Sequence, residues 1–336
     1  MLIYILSLYM LLVKFFSADC HPRTRNTGVL FTNRGVFLIK LSIDYLSFTI
    51  FNVDIQTIID HLPKNDFTFL EKGRLGYKNA ILYKGVRILY DGKKDMGIHV
   101  DASSSALGWA VDILLIPVVQ GNTKYSRIDI ACDCYDYDMY NLTSTAAAAH
   151  NYKSKRRKWS EIIQHDTATN DITGRTLYFG SRNSSVFLRI YDKALEQKID
   201  LDWTRLELEI KGKSAHNLAQ IIGKLPLDEI FYKLINNYIS FIDRTTNTNI
   251  SRCKLLPFRN EFIKETESIS IAPKKEEQTV SRTYNWLLKQ VSRSIAKINK
   301  VDEDGNMKLI NGLIDIGKKR LSLEDEEQIT RFLKEI

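Results

Sequence analysis

Three stretches of this chain alternate residue by residue, with apolar side chains on one side and arginines mixed with carboxylates on the other. Ser126 to Cys134 sets Ile128, Ile130, Cys132 and Cys134 against Arg127, Asp129, Ala131 and Asp133. Val186 to Lys193 sets Val186, Leu188 and Ile190 against Phe187, Arg189, Tyr191 and Lys193. Thr204 to Lys211 sets Leu206, Leu208 and Ile210 against Arg205, Glu207, Glu209 and Lys211. Successive strand side chains point to opposite faces, so a period of two predicts strands with one buried face. A half-buried antiparallel sheet ordinarily has one polar face, which is the bland explanation. Ordinary solvent faces favour Thr, Lys, Ser and Gln, however, whereas these fronts concentrate Asp, Glu, Arg and Tyr. Side by side they gather four carboxylates, three arginines and a tyrosine. Carboxylates crowded on one face repel one another unless a cation sits between them.

The surrounding sequence fits an α+β chain: an antiparallel sheet with helices on one face and a C-terminal helical region. Thr176 to Phe179, followed by the turn residues Gly180-Ser181-Arg182-Asn183-Ser184, predicts a hairpin with the Val186 run. Val36 to Phe51 is the first convincing strand, and Asp54 caps a short helix to Leu62. A meander follows at Tyr77 to Tyr83, Val86 to Tyr90 and Met96 to Asp101. On its last strand His99 and Asp101 share a face and are candidates for a metal ligand or proton acceptor, against a chemically silent pair. Ser103 to Ile116 is an apolar helix suited to the back of the sheet, and Tyr140 to Tyr152 is an Ala-rich one. The densest basic run, K-S-K-R-R-K-W at 153–159, is either a solvated face or a set of phosphate contacts through Lys155, Arg156, Arg157 and Lys158. Lys213 to Lys224 and Leu227 to Ile242 read as helices. The polar stretch Arg244 to Asn249 is the expected boundary between a catalytic domain at 36–243 and a helical region at 250–336. That region holds helices at Phe258 to Glu267, Thr279 to Lys300, Leu309 to Lys319 and Leu323 to Ile336. The last starts with Ser322 as N-cap and Asp325 in the capping-box position.

In 336 residues, 44% hydrophobic and 26% charged, there is ample material for a core. A net charge of +8 favours an acidic partner, nucleic acid first and an anionic membrane second. The four cysteines, Cys20, Cys132, Cys134 and Cys253, form no C-x-x-C and no zinc spacing, which suits a reduced cytoplasm. Met1 to Val13 is apolar but shorter than a bilayer span and lacks a basic leader. Residues 1–35 are therefore expected to be an N-terminal extension outside the fold, with a membrane anchor as the other reading.

The motifs G-R-T-L-Y-F-G-S-R-N-S-S-V-F-L-R-I-Y-D-K-A-L-E-Q, W-T-R-L-E-L-E-I-K, S-R-I-D-I-A-C-D and I-D-Y-L-S-F-T, with N-W-L-L-K-Q-V-S-R-S-I-A near the end, resemble the replication initiation factor family. Its members are rolling-circle initiators of small plasmids, related phage initiators and relaxases of conjugative transposons. The resemblance implies a tyrosine that cuts one DNA strand and stays joined to the 5′ phosphate, aided by Mg2+ or Mn2+. Carried over, it places the nucleophile at Tyr191 with Arg189 and Lys193 beside it. It places metal-binding acids on the R-x-D and R-x-E-x-E strands, Asp129 and Glu207 first, with Asp133 and Glu209 as further candidates. Arg127 and Arg205 join the basic run as candidate DNA contacts. No His-x-His pair is present, so carboxylates must hold the metal, and Ser103-Ser104-Ser105-Ala106 stands where the family shows an S-G-Q-G turn. The implied partners are origin DNA, a second copy of the chain and a host helicase. Two rivals remain open: a metal-dependent endonuclease without a covalent intermediate, and a DNA-binding regulator without chemistry. For the nucleophile itself, Tyr178 on the first arm of the hairpin is the competitor.

Overall fold

The computed structural model describes residues 27–32, 35–62, 67–156, 158–262, 270–272, 279–302 and 307–335. The apolar segment at 1–13 and Arg157 lie outside them. In chain order the strands are β1 (Thr27–Thr32), β2 (Gly35–Ile50), β3 (Thr68–Leu70), β4 (Asn79–Tyr83), β5 (Val86–Tyr90), β6 (Ile98–Ser103) and β7 (Thr123–Tyr135). They continue with β8 (Tyr152–Ser154), β9 (Trp159–His165), β10 (Ile172–Phe179), β11 (Val186–Asp192), β12 (Trp203–Lys211), β13 (Ile239–Asp243) and β14 (Lys254–Leu255).

Eleven of these form one sheet in the order β3-β4-β5-β6-β2-β7-β12-β11-β10-β9, with β1 paired to β2. The pairings are antiparallel, so the expected α+β architecture holds. The three diagnostic runs become neighbours, β7-β12-β11, in the middle of the sheet. Their apolar sides form its back. Ile128, Ile130, Cys132 and Cys134, then Leu206, Leu208 and Ile210, then Val186, Leu188 and Ile190 are all buried in one core. The helices Leu107–Leu114, Lys213–Ala219 and Leu227–Tyr238 contribute Ala110, Ile113, Ala215, Leu218, Phe231 and Leu234 to the same core. Cys132 and Cys134 are free thiols within it.

The helix expected through Ile242 stops at Tyr238, and Ile239–Asp243 is a strand, β13, pairing with β8 and β14 in a second small sheet. The physical reason lies in I-S-F-I-D, a β-branched and aromatic run whose Ile239, Phe241 and Ile242 are buried. This small sheet also captures part of the basic run, since Lys153 and Ser154 belong to β8.

The chain divides into two compact units between residues 273 and 274. The polar stretch 244–249 is a loop inside the first unit, because Phe258 and Ile271 beyond it are packed into the core. The second unit contains the helices Val280–Trp286, Ser292–Val301, Lys308–Lys318 and Leu323–Glu335, with a π-helical turn at Leu287–Val291. At the start of its last helix Ser322 and Asp325 cap each other reciprocally, Ser322 N donating to Asp325 Oδ2 and Asp325 N to Ser322 Oγ. Among the described residues no helix is long and apolar enough to cross a membrane.

The packing makes one direct prediction. Ile130 is fully buried on the central strand β7. Ile130→Ala should therefore lower unfolding free energy by about 2–5 kcal/mol in urea titrations. A loss below about 1 kcal/mol would mean that this face of β7 does not anchor the core.

Candidate active site

Register, rather than any single strand, assembles the polar face. On β11 and β12, Arg189 lies opposite Glu207 and Tyr191 opposite Arg205. On β12 and β7, Glu209 lies opposite Asp129 and Arg205 opposite Asp133. Residues directly across an antiparallel pair share a face, so the polar fronts of the three strands merge.

β2 adds two residues by a local irregularity. Ile43 pairs with Ile130 and Tyr45 with Asp129, which leaves Asp44 as an extra residue in a bulge. Before it the buried positions are Ile39, Leu41 and Ile43; after it they are Leu46, Phe48 and Ile50. The alternation thus changes phase, and both Asp44 and Tyr45 reach the front. There they line a cleft of about 820 Å³ together with Arg127, Asp129, Arg189, Gln197, Glu207 and the serines 103–105.

The carboxylates of this face are buried: Asp129 is 1% exposed, Asp133 2%, Glu207 3% and Glu209 9%. Desolvated charge requires a partner, and each acid has an arginine. Arg127 donates from Nε and Nη2 to the two oxygens of Asp129 at 2.8 and 2.5 Å, and its Nη2 is also 2.8 Å from Glu209 Oε2. Lys211 Nζ lies 2.8 Å from the other Glu209 oxygen. Arg205 donates to both Asp133 oxygens at 2.7 and 2.9 Å and from Nη1 to Asp44 at 3.1 Å, while Trp203 Nε1 donates to Asp133 Oδ1 at 2.7 Å. Arg189 Nη2 pairs with Glu207 Oε1, and the Tyr191 hydroxyl donates to Glu207 Oε2 at 3.4 Å.

These contacts sort the candidate residues. Both oxygens of Asp133 and both of Glu209 are occupied by cationic donors, as both of Asp129 are by Arg127, but neither Asp133 nor Glu209 lines the cleft. Asp129 and Glu207, by contrast, both open into the cleft. Burial, with the charges of Glu207 and Glu209, outweighs Arg127 and pushes the Asp129 carboxyl up to about 7. Among the described residues no three His, Cys, Asp or Glu side chains converge as a metal cluster. Asp129 and Glu207 are the acids through which a divalent cation could be held from the cleft side. Arg189 Nε, buried and without an acceptor, adds an unspent donor beside the cleft.

Tyr191 is half-buried, and burial followed by the Glu207 charge drives its phenol well above the ordinary value, with Arg205 opposing. Arg205, expected to contact DNA, is therefore committed to Asp133 and Asp44 and is the cation directly across from Tyr191. Arg127 does reach the cleft. Lys193 does not continue the strand. Asp192 accepts from Leu195 N at 3.0 Å and caps the helix Lys193–Gln197, of which Lys193 is the first residue. Its Nζ nevertheless lies 5.6 Å from the centre of the Tyr191 ring, while pairing with Glu196. Tyr178 stacks on Phe187, ring centres 5.5 Å apart.

The basic run departs from its expected place. The Arg156 guanidinium lies 4.8 Å over the Tyr238 ring, and the side chain packs with Phe179, Val186 and Leu188 on the apolar back. Lys155 Nζ is bonded to Asn237, and Lys158 is exposed. Being tied to the elements on the back of the sheet, Lys155 and Arg156 do not join the carboxylate front.

Asp101 and His99 form a second polar group beside the first. The Tyr45 hydroxyl donates to Asp101 Oδ1 at 2.9 Å, Arg74 Nη2 lies 2.6 Å from Asp101 Oδ2, and His99 Nε2 is 3.3 Å from Oδ1. His99 is held at Nδ1 by Thr49 Oγ1 at 2.9 Å and at Nε2 by Ser47 Oγ at 3.2 Å. With both ring nitrogens engaged, His99 suits orientation of Asp101 better than metal binding. Sequence reasoning missed Asp44, Tyr45 and Arg74 as site residues. The signal available for the first two was the slip of the apolar alternation from odd to even numbers in I-K-L-S-I-D-Y-L-S-F-T-I.

Comparison with known proteins adds independent weight. The family model described as "Replication initiation factor" matches residues 123–314, more than half of the chain. The chain belongs to the replication initiation factor family. A second model, "Rolling Circle replication initiation protein N-terminal domain", matches residues 40–106, the stretch that carries Tyr45 and Asp101. The "Putative DNA relaxase NicK" of Bacillus subtilis (strain 168) is 24% identical over 308 residues, covering 81% of this chain and 87% of that protein. The solved structure of a rolling-circle replication initiator protein from Geobacillus stearothermophilus superposes with a TM-score of 0.61 at 26% identity, covering 70% of this chain and all of that one. Family membership thus rests on the segment containing β7, β11 and β12, and the likeness to the initiator structure extends to the fold.

Two predictions follow from the electrostatics. Burial alone would raise the Asp101 carboxyl, but hydrogen bonds from His99, Arg74 and Tyr45 outweigh it and hold it well below the usual range. Its folded value lies under its unfolded one, so its stabilisation is complete above about pH 4 and is lost as pH falls below that. Asp101→Asn should accordingly melt below the wild type at pH 7, and the gap should close toward pH 2; a gap independent of pH would exclude the charge as its source. Separately, Mg2+ or Mn2+ at one hundred times its dissociation constant should stabilise the wild type by about 2.7 kcal/mol. That shift should be absent in Asp129→Asn and Glu207→Gln; equal shifts in all three proteins would move the cation elsewhere.

Proposed function

We propose that this protein nicks one strand of origin DNA and transfers it, through a covalent bond between Tyr191 and the 5′ phosphate, to start rolling-circle replication or conjugative transfer. The observation that carries the reading is the contact of the Tyr191 hydroxyl with Glu207, an acid that pairs with Arg189 and lines the cleft together with it and Asp129. Family membership and the likeness to an initiator structure and a relaxase support the same class of chemistry.

The residues have complementary tasks. A phenol is a weak nucleophile until its proton has somewhere to go, and here burial makes ionisation harder still. Glu207 Oε2 is the acceptor placed to take the proton, and Arg205, across the strand pair, favours the phenolate. As the tyrosine oxygen bonds to phosphorus, the bond to the 3′ oxygen breaks and that oxygen leaves as a hydroxyl. Negative charge accumulates on the phosphate oxygens, where Arg189 and Arg127 can stabilise it. Asp129 and Glu207 would hold Mg2+ or Mn2+, which when bound polarises the scissile phosphate. One ester replaces another, so the bond energy is kept for rejoining.

The test is a denaturing gel after incubation of the full chain with labelled origin DNA and Mg2+ or Mn2+. Wild type should give a cut strand and a covalent adduct; Tyr191→Phe, which keeps the ring, should give neither while still binding DNA. Asp129→Asn and Glu207→Gln should bind duplex near wild-type affinity with cleavage at background. Cutting retained without adduct in Tyr191→Phe would favour the metal-dependent endonuclease, and loss of adduct only in Tyr178→Phe would move the nucleophile across the hairpin.

A further inference from the structure

The front of the sheet does not end with its charges. Beyond the row formed by Tyr191, Arg205 and Asp133, the next forward-facing positions are Trp203 on β12 and Tyr135 on β7, directly opposite each other, and Leu38 on β2, opposite Tyr135. Three adjacent strands thus present an apolar row, while their neighbours Thr204, Cys134 and Ile39 turn to the buried back. Leu38 is 38% exposed, and the two rings are half-buried and stacked, with centres 5.2 Å apart and planes at 30°. The indole Nε1 donates to Asp133 Oδ1 at 2.7 Å, so the ring is fixed against the same carboxylate that holds Arg205. Across β11 and β12, Trp203 is the diagonal neighbour of Tyr191, a separation of roughly 7–8 Å and about the reach of one nucleotide. Lys40, exposed and opposite Asp133 on β2, adds a cation beside the row. Cross-strand aromatic pairs also stabilise sheets with no further role. That accounts for the contact between the rings, but not for their exposure or for the exposed leucine in line with them. The other aromatic pair of the front offers less, since Phe187, the stacking partner of Tyr178, is buried.

We infer that Trp203 and Tyr135 form a stacking site for one unpaired nucleobase of the cut strand, the base next to the phosphate that Tyr191 attacks, an inference that rests on the nicking function proposed above. Every base has a π face, so such a site accepts a single strand whatever its sequence. A base inside a duplex is already stacked on its neighbours and has no free face to offer. The site therefore selects DNA that is melted at the nick. With its base held on the rings, the adjoining phosphate lies one step along the sheet, in front of Tyr191, and this placement lowers the entropic cost of the attack. Lys40 supplies positive charge for the backbone on the same side.

The experiment uses the full chain in EDTA, so that binding is read without cleavage, with single-stranded oligonucleotides covering the origin nick region. One base at a time is replaced by iodouracil, the complex is irradiated, and cross-linked peptides are mapped by mass spectrometry. The expected result is one position whose cross-link falls on the Trp203 or the Tyr135 peptide. An abasic nucleotide at that position should weaken wild-type binding about tenfold, within the range of base–aromatic stacking. Trp203→Ala should weaken binding of the intact oligonucleotide by a similar factor and suffer no further loss with the abasic one, its salt dependence unchanged because no phosphate contact is removed. Trp203→Phe keeps a ring and loses the bond to Asp133, so it should retain most of the affinity. A loss equal to that of Trp203→Ala would assign the residue to support of Asp133 and overturn the inference. Cross-links that avoid both peptides at every position, or abasic and Trp203→Ala penalties that multiply, overturn it as well, and leave the nicking function standing if the metal-supplied wild type still forms its adduct. A cross-link on either ring without any adduct would instead overturn the nicking function and keep the base site. Cross-linking of the wild type decides the question should a variant fail to fold.

Discussion

Four carboxylates stand with almost no exposure on one face of a β-sheet, and the site depends on how their charge is balanced. An unpaired buried carboxylate is too costly to keep ionised, so the face is a ladder in which arginines from β7, β11 and β12 alternate with acids. The balance is uneven. Asp133, Glu209 and Asp129 each have both oxygens on cationic donors, yet burial, with the charges of Glu207 and Glu209, still pushes the Asp129 carboxyl up to about 7. The saturated pairs make a rigid frame. Asp129 and Glu207 are the two of these acids that line the cleft.

The back of the sheet makes this front possible. β7, β12 and β11 are held in register by one continuous apolar core, and the helices Lys213–Ala219 and Leu227–Tyr238 close it from behind. Because a slip of one residue would exchange the two faces, the burial of Ile130, Leu208 and Ile190 also decides that the acids face forward. The same reasoning explains the basic run: Arg156 lies against Phe179, Val186 and Leu188, so its charge is spent on Tyr238 and not on the front. Cationic character within the cleft comes instead from arginines already engaged with acids, of which Arg189 keeps a buried unpaired donor.

The two phenols beside the acids occupy different settings. Tyr191 leans on an acid shared with an arginine, while Tyr45 leans on Asp101, which has its own supporting group in Arg74 and His99.

Much of this was legible in the residues alone. Alternation in 126–134, 186–193 and 204–211 foretold three strands, their apolar backs and the collection of Arg, Asp, Glu and Tyr on one face, because the period of two is a property of each strand by itself. The family followed from the same motifs in order. What the sequence could not decide was which arginine would pair with which acid, since that depends on Arg205 falling opposite Asp133 and Arg127 reaching both Asp129 and Glu209. Nor did it reveal that I-S-F-I-D would leave its helix to pair with β8, or that Lys193 would begin a helix capped by Asp192. The entry of Asp44 and Tyr45 into the site was half-visible as a phase slip in β2, but its meaning required the partner strand. Local periodicity is written in one segment, whereas register, charge pairing and burial are relations between segments far apart in the chain, and only their packing together selects one set.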